Sequence, residues 1–341
     1  MNDIQRLLAA ATLLTFASVG CSSSSNGTNG TSSGDPPPTT NPPPAPPGAG
    51  GPIGIAPAAN DAQFLSPFDA TPDPDGKVIY FTAIAKAEGA PAVYKVGADG
   101  TGLTKMFVGD PLVSPFGISI TDDGKTLVIA DTGAESDTEE RGALFTMSVA
   151  GGGPAALAGT QGTSPRGVDV RGDSIYYSGT AGVGAKTVGA VYKMPVSGGT
   201  ATALASGAPL NQPAGVAVTK TGDVYVLDAA AASTRHASVF KIAGSTPTEI
   251  ARDITVGFPS GLALSADESQ VVVSALDDSL GTDAVYTVPV AGGDMKVLGD
   301  AVQQMIGKFG ESSGLHRARN TGVFAWADAR ANKTGTVYVL K

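Results

Sequence analysis

The sequence of 341 residues is poor in the side chains that most often carry chemistry. Its one cysteine, Cys21, cannot form an internal disulfide, so the fold must be held together by burial alone. It has two histidines, His236 and His316, and no nucleophile elbow, zinc-protease helix, phosphate-binding loop or cysteine cluster. A formal net charge of −9 argues against nucleic acid and anionic membrane surfaces as partners. No catalytic residue can therefore be assigned from a motif.

What the sequence does contain is a repeated pattern of short strands, clearest between residues 212 and 252. Four runs rich in β-branched and aromatic residues alternate there with Gly, Asp and Ser, which favours a four-stranded antiparallel meander over any helix. A single sheet of this kind would leave both faces in water, so neighbouring copies must cover it. The four runs are Val216–Val218, Val224–Asp228, Val239–Ile242 and Thr248–Ile250.

Six copies of the pattern can be aligned on a Pro-x-Gly tripeptide that precedes each first strand. The tripeptide recurs about every 50 residues, a period typical of propeller blades, and its first and last copies are degenerate. Because radial repetition hides sheet edges, the sequence predicts an all-β, six-bladed β-propeller of four-stranded antiparallel blades. The six tripeptides are Pro67-Phe68-Asp69, Pro115-Phe116-Gly117, Pro165-Arg166-Gly167, Pro213-Ala214-Gly215, Pro259-Ser260-Gly261 and Ser312-Ser313-Gly314.

The last blade is predicted to be completed by a strand from the beginning of the domain. Only three strands of blade six precede Lys341, while the apolar stretch Pro52–Pro57 has nothing to pair with locally. We therefore expect this N-terminal strand to add to the last blade and close the ring, which removes exposed strand edges. The propeller domain is predicted to cover residues 52–341.

The N-terminus has the features of an export signal. Residues 1–20 contain one basic side chain, an apolar run over Leu7–Ala17 that is too short to span a membrane, and small residues before Cys21. The segment Ser18–Cys21 resembles a bacterial lipobox, which implies that Cys21 is lipidated; an ordinary secretory signal with an incidental cysteine is the alternative. Ser22, where an inner-membrane retention Asp would stand, favours an outer-membrane or cell-surface lipoprotein.

Residues 21–51 separate this signal from the repeats and consist almost entirely of Ser, Gly, Thr, Asn and Pro. Such a composition cannot bury a core, so we expect a disordered tether, stiffened by polyproline II geometry in its proline-rich second half. The lipid anchor would hold the propeller at the membrane through this tether.

The predicted meander places two kinds of connection on opposite faces of the ring. Turns between first and second strands, and between third and fourth strands, are short and define the tight-turn face. Connections between second and third strands, and between blades, are longer and define the long-loop face. Because binding residues are usually carried on loops of a rigid scaffold, we expect function on the long-loop face and at the channel mouth within it. The longer stretches are Asp131–Gly142, Ser178–Gly189, Asp228–Ala237, Ala275–Ala284 and Gly299–Gly310.

Carboxylates on the long-loop face form a candidate ligand or cation site. Asp131, Glu135 and Asp137 fall in the blade-two connection, and such clusters can bind Ca²⁺ through oxygen ligands on flexible loops. Their spacing matches no calcium loop, so solvated charges are the alternative. Asp131, Asp228 and Asp328 recur at the ends of second strands, where a carboxylate can bind a ligand or accept backbone N–H bonds.

His316 is a further candidate because it lies in the first strand of blade six, which is predicted to line the channel. Its equivalent in blade three is Asp169, and Asp69 lies at the opening of blade one. A packed or solvated histidine is the alternative to a catalytic one.

Phrases such as Pro213–Val218 and Gly222–Asp228 resemble NHL-type repeats, in the superfamily that includes gluconolactonase-like and streptogramin-lyase-like propellers. The resemblance covers nearly all of Ser66–Lys341 and implies the propeller architecture. Gluconolactonase-like members use a Glu before the first strand of blade one with Asn and Asp metal ligands, but Ser66–Asp69 contains no Glu. Streptogramin-lyase-like members need a paired His and Glu at the mouth, which the two histidines do not evidently supply. The resemblance therefore implies the propeller architecture, and neither activity can be carried over to this chain.

Two functions remain open from the sequence. The first is a surface-tethered, non-catalytic and monomeric propeller that binds an envelope protein, a glycan or another extracellular ligand through its long-loop face. The second is a metal-dependent hydrolase or lyase at the channel mouth. The residues that would serve such a site are Asp69, Asp131, Asp169, Asp228 and His316.

Overall fold

The computed structural model describes residues 54–60, 63–133, 142–182, 184–233, 236–257, 260–277, 282–298 and 312–341. The predicted signal peptide, Cys21, the tether, Glu135 and Asp137 lie outside these residues. In the described part, helix is limited to two three-residue 3₁₀ turns, Gly184–Lys186 and Ala331–Lys333. No helix there is both long enough and apolar enough to cross a membrane.

The first three blades follow the repeat in chain order, after a short N-terminal strand, β1 (Ile55–Ala59). Blade one contains β2 (Phe64–Pro72), β3 (Val78–Ala85), β4 (Ala90–Gly97) and β5 (Thr104–Val108). Blade two contains β6 (Pro115–Ile120), β7 (Thr126–Asp131), β8 (Ala143–Ser148) and β9 (Ala155–Ala156). Blade three contains β10 (Val168–Arg171), β11 (Ser174–Ala181), β12 (Val188–Pro195) and β13 (Thr202–Ser206).

The second half of the ring repeats the same order. Blade four contains β14 (Pro213–Val218), β15 (Val224–Ser233), β16 (His236–Ala243) and β17 (Thr246–Thr255). Blade five contains β18 (Leu262–Leu264), β19 (Gln270–Asp277), β20 (Thr282–Pro289) and β21 (Lys296–Val297). Blade six contains β22 (Ser312–Arg317), β23 (Phe324–Asp328) and β24 (Thr336–Leu340).

These strands form six separate four-stranded antiparallel sheets, which confirms the predicted fold class. Within blades one to five the strands are hydrogen-bonded in chain order, as in a simple meander. The first strand of each blade contacts the first strands of the two neighbouring blades, so the innermost strands form a closed ring around the channel.

The predicted closure of the last blade is confirmed. Strand β1 pairs antiparallel with β24, with Ile55 opposite Leu340. The pairing extends one residue further, because Gly54 and Lys341 exchange backbone hydrogen bonds of 2.8 and 2.9 Å. Blade six is therefore three strands from the C-terminal end and one from the N-terminal end, and β1 pairs with the edge of β24.

The core lies between blades, because alternate residues of each strand point to opposite faces of the sheet. Tyr225 and Leu227 lie in an apolar cluster with residues of blade five, whereas Val224 and Val226 lie in a cluster with residues of blade three. Each fully buried side chain of this size contributes about 1.5–3 kcal/mol to the stability of the fold. A blade thus depends on both neighbours.

The long-loop face differs from its prediction in blades three to five. The second and third strands run past their predicted ends and pair with each other, so residues 178–181, 188–189, 228–233, 236–237, 275–277 and 282–284 of these stretches are strand. Backbone pairs near the hairpin ends are Thr180 with Gly189, Ser233 with His236, and Asp277 with Thr282.

Close packing explains why these strands have the small residues that suggested loops. A Cβ on Gly179 would lie 2.3 Å from the carbonyl oxygen of Thr163, and one on Gly189 would lie 2.7 Å from Cδ of Pro213. Both distances are shorter than any real Cβ contact, so only glycine permits the approach of the neighbouring interblade link. Gly179 and Gly189 therefore serve the packing between blades.

Val226→Asp tests the core between blades. Val226 is fully buried, so the variant places a carboxylate without a partner between blades three and four and should cost about 3 kcal/mol or more of stability. Thr248→Asp introduces the same side chain at an exposed position of β17 in the same blade and should change stability by less than about 0.5 kcal/mol. Urea titration measures both values, and equal stabilities would refute this core assignment.

Candidate functional site

The channel is lined by one equivalent position from the first strand of each blade. The space enclosed there is about 20 Å³, which holds about one water molecule and is far below the volume of a small-molecule pocket. The channel interior is therefore filled by side chains of its own walls. The six equivalent residues are Thr71, Ser119, Asp169, Ala217, Ala263 and His316.

Asp69 and His316 form a buried pair beside the channel. Nε2 of His316 lies 2.9 Å from Oδ2 of Asp69, and the two side chains are 11% and 3% exposed. Asp69 also accepts backbone hydrogen bonds from Ile118 at 2.8 Å and from Ala70 at 2.8 Å. Burial acts to lower the pKa of His316, but the adjacent Asp69 carboxylate outweighs it and the pKa is raised. The pair thus links blades six, one and two.

Asp169 is held by two different groups. One carboxylate oxygen accepts the backbone N–H of Val218 at 2.9 Å, and the other is hydrogen-bonded to Nη2 of Arg319. Arg319 also forms an ion pair with Asp122, with 3.3 Å between Nε and Oδ1. Burial acts to lower the pKa of Arg319, but Asp169 and Asp122 raise it on balance. Asp169 is therefore part of an interblade ion pair and is not free to bind a ligand.

Further pairs cover the tight-turn end of the channel. Arg171 forms an ion pair with Glu268, which also accepts the backbone N–H of Lys220 at 2.9 Å. Arg317 donates from Nε to the carbonyl oxygen of Leu264 at 2.8 Å. These contacts connect blades three, four, five and six. The charges at this mouth serve to join blades.

The aspartates at the ends of second strands accept backbone hydrogen bonds in the described structure, as one of the two interpretations, backbone hydrogen bonding, expects. Asp131 and Asp228 each connect the end of a second strand to the interblade link that enters the same blade. Burial raises the pKa of Asp228, although three backbone N–H bonds oppose this shift. Asp131 accepts from the backbone N–H groups of Val113, Ser114 and Gly133. Asp228 accepts from those of Asn211, Gln212 and Ala230. Asp328 accepts from those of Arg330 and Ala331.

The predicted acidic residues do not converge on one centre. Among the described residues, no three His, Cys, Asp or Glu side chains are placed to hold a metal ion. Of the residues proposed from the sequence, Asp69 and His316 are in direct contact, whereas Asp131 and Asp228 lie in separate blades with backbone partners of their own. Glu135 and Asp137 lie outside the described residues, so a cation site that includes them stays a prediction.

The channel mouth on the long-loop face carries aromatic and arginine side chains that the search for motifs did not identify. The middle residue of the Pro-x-Gly tripeptide is Phe68, Phe116 and Arg166 in blades one to three, and all three are partly exposed. The rings of Phe68 and Phe116 pack edge to face with centroids 5.2 Å apart. Across the six copies this middle position is Phe, Phe, Arg, Ala, Ser and Ser. A comparison of the copies would therefore have singled out Phe68, Phe116 and Arg166.

Two further features occur at this mouth, which we call the Phe–Arg mouth, defined by Phe68, Phe116 and Arg166. Nε and Nη1 of Arg166 are buried and have no hydrogen-bond partner among the described residues, and burial lowers the pKa of the guanidinium. Ser66 and Ser164, which precede the prolines of blades one and three, have φ values of 47° and 42°. Non-glycine residues rarely adopt such angles, and this strain concentrates at functional sites.

The Asp69–His316 pair predicts a measurable titration. In the unmodified chain, the pKa of His316 should exceed its ordinary value of 6.5. Asp69→Asn should lower this pKa, because the neutral amide cannot oppose the lowering effect of burial as the carboxylate does. The stability that protonated His316 contributes is complete below pH 6.5 and is lost as pH rises through the raised pKa. NMR titration of the imidazole measures the shift, with His236→Gln to assign the signal.

Asp123→Asn is the control for this titration, because Asp123 is an exposed acid on the tight-turn face. It should leave the His316 titration unchanged. A His316 pKa at or below 6.5 in the unmodified chain would show that burial, and not Asp69, decides the charge state.

Comparison with known proteins agrees with this architecture. Residues 210–241, in blade four, match the family model described as NHL repeat. No curated protein matches the sequence. Among solved structures, a gluconolactonase from Xanthomonas campestris is 15% identical with a TM-score of 0.58, covering 84% of this chain and 89% of that chain.

Two TolB structures are similar at the same level. A protein from Agrobacterium tumefaciens assigned as TolB is 16% identical with a TM-score of 0.57, covering 84% of this chain and 96% of that chain. TolB from Acinetobacter baumannii is 12% identical with a TM-score of 0.53, covering 69% of this chain and 55% of that chain. Identities this low show a shared fold and no shared activity. The chain is a six-bladed β-propeller with an NHL repeat in its fourth blade.

Proposed function

We propose that the protein is a non-catalytic binding propeller that is exported, anchored through a lipid on Cys21, and binds an envelope component or extracellular ligand with its long-loop face. The lipobox-like segment Ser18–Cys21 and the Ser-, Gly- and Pro-rich stretch of residues 21–51 support the anchored location. A tether of this composition would let the propeller reach ligands away from the membrane.

The observation that carries the non-catalytic assignment is the filled channel. About 20 Å³ of enclosed space admits no substrate larger than water, and the carboxylates beside it are already bonded to backbone N–H groups, arginine or histidine. A hydrolytic site needs a polar group that can reach a bound substrate. The paired acids of this channel join blades instead.

The long-loop face is the better binding surface of the two. It carries the Phe–Arg mouth, with two partly exposed aromatic rings in contact and a partly exposed arginine side chain. At the tight-turn mouth, Arg171, Arg317 and Arg319 all bond to acidic side chains or backbone carbonyls. Aromatic and arginine side chains are the residues most enriched in energetically important interfaces.

Face-specific variants test this proposal. Val113 and Val188 are exposed on the long-loop face, at 39% and 42%, while Met295 is exposed to a similar degree, 37%, on the tight-turn face. All variants carry Cys21→Ser, so that binding through the lipid is removed. We expect the Val113→Lys, Val188→Lys double variant to bind isolated cell envelopes at least tenfold more weakly, since two desolvated ammonium groups would oppose contact. Met295→Lys should bind as the parent does.

The same samples are assayed for hydrolysis of lactone and ester substrates. The proposal predicts no turnover by the parent. Turnover that His316→Gln abolishes would establish the hydrolase alternative, and equal weakening by the long-loop and tight-turn variants would contradict recognition by one face.

A further inference from the structure

An open depression lies at the long-loop end of blade one, on the outer side of the ring. Its volume is about 400 Å³, compared with about 20 Å³ in the channel. Small-molecule sites have volumes of roughly 300–1,000 Å³, so this depression has room for a ligand that the channel cannot admit. Its described walls are Gln63, Lys86, Ala87, Glu88, Tyr94 and Lys105.

Hydrogen bonds of the main chain and of one tyrosine hold these walls in place. Strands β3 and β4 pair up to the tip of their hairpin, where the backbone N–H of Gly89 donates to the carbonyl oxygen of Ala85 at 2.8 Å. The carbonyl oxygen of Gln63 accepts the backbone N–H of Lys86 at 2.9 Å and the hydroxyl of Tyr94 at 3.2 Å. The depression is therefore formed before any ligand binds.

The charges of the walls leave one positive charge unpaired. Lys105 on β5 forms an ion pair with Glu88 at the hairpin tip, and its hydrogen bond lowers the pKa of the Glu88 carboxyl. Lys86 is exposed, and none of the described ion pairs includes it. Two ammonium groups and one carboxylate give the described walls a charge of about +1, which favours an anion with a single negative charge.

The lysine on β5 is a feature of blade one and not of the repeat. In blades one to five, one residue of the fourth strand pairs with the aromatic residue in the middle of the third strand. All five blades form four-stranded sheets, although only blade one has a lysine at this position. The five fourth-strand residues are Lys105, Ala156, Ala203, Glu249 and Val297.

The composition of the walls favours a saccharide over a protein as the ligand. The Lys105–Glu88 pair presents N–H donors beside carboxylate acceptors, and a sugar hydroxyl can donate and accept at once. Tyr94 is fully buried, so the exposed apolar surface of the described walls is limited to Ala87. Protein interfaces are instead rich in aromatic anchors and poor in Lys and Glu. A sugar with one carboxylate matches both the ion pair and the unpaired ammonium of Lys86.

We propose that this depression binds an acidic saccharide, a hexuronic acid unit, with Lys86 contacting the carboxylate and the Lys105–Glu88 pair contacting ring hydroxyl groups. This inference rests on the proposed function, because it names a ligand class for the long-loop face. It makes the target an acidic glycan and not a protein.

The test uses the full chain with Cys21→Ser and three probes at neutral pH, which are glucuronic acid, glucose and acetate. NMR titration of the backbone amides of Ala87 and Gly89 measures binding at the depression. Glucuronic acid should bind at least about tenfold more tightly than either of the other probes. Glucose lacks the charge, and acetate lacks the hydroxyl groups.

Charge variants of the walls should act in opposite directions. Lys86→Gln should weaken glucuronic acid binding to the level of glucose, because it removes the unpaired ammonium and keeps a polar side chain. Glu88→Gln should tighten glucuronic acid binding by about threefold or more, because it removes a like charge and keeps an oxygen acceptor.

Lys186→Gln is the matched control, because Lys186 is an exposed lysine on the long-loop face of blade three. It should leave glucuronic acid binding unchanged. All three variants alter exposed side chains, so their melting temperatures should stay within about 2 °C of the parent. A loss of binding can then be read as a loss of contact with the ligand.

Four results would overturn the proposal. These are equal binding of glucuronic acid and glucose, acetate binding as tight as glucuronic acid, no binding of any probe, and binding that Lys86→Gln does not weaken. The acetate result would mean an adventitious ion only.

This test and the envelope assay can fail separately. If glucuronic acid does not bind while the Val113→Lys, Val188→Lys variant still binds envelopes more weakly, only this inference fails and the binding face stands. If glucuronic acid binds as predicted while the face variants have no effect on envelope binding, the ligand class stands and the envelope target fails.

Discussion

The structure depends on one constraint, which is that each blade has two apolar faces and covers neither by itself. Residues of β15 show this directly, because Tyr225 packs towards blade five and Val226 packs towards blade three. A row of such sheets would always leave two faces in water, whereas a ring leaves none. Closure is therefore a condition of stability, and β1 supplies it by pairing with β24.

The charges around the channel follow from the same ring. Asp69 with His316, and Asp169 with Arg319, each join residues of different blades, so the polar groups act where blades meet. Because these side chains are used between blades, the channel has little free chemistry and little free volume. Phe68, Phe116 and Arg166 lie on the long-loop face of this ring and are partly exposed.

The sequence was sufficient to predict the blade count, the meander and the closing strand, because repeat period and alternating apolar residues report directly on burial. It was not sufficient for the hairpin of blade three, for example, since Gly179 and Gly189 satisfy a packing limit that only coordinates show. The sequence also could not show that Asp69 and His316 are in contact, because they are 247 positions apart in the chain. The backbone role of Asp131 and Asp228 could be predicted because it is local to the blade.

Ring closure is tested most directly by comparing a chain that lacks residues 1–51 with one that lacks residues 1–59. The first keeps β1, and its melting temperature should equal that of the full chain. The second loses β1, which exposes the edge of β24 and the cluster that contains Ile55 and Trp326, so its melting temperature should fall by about 10 °C or more. Equal melting temperatures for the two truncated chains would contradict closure by the N-terminal strand.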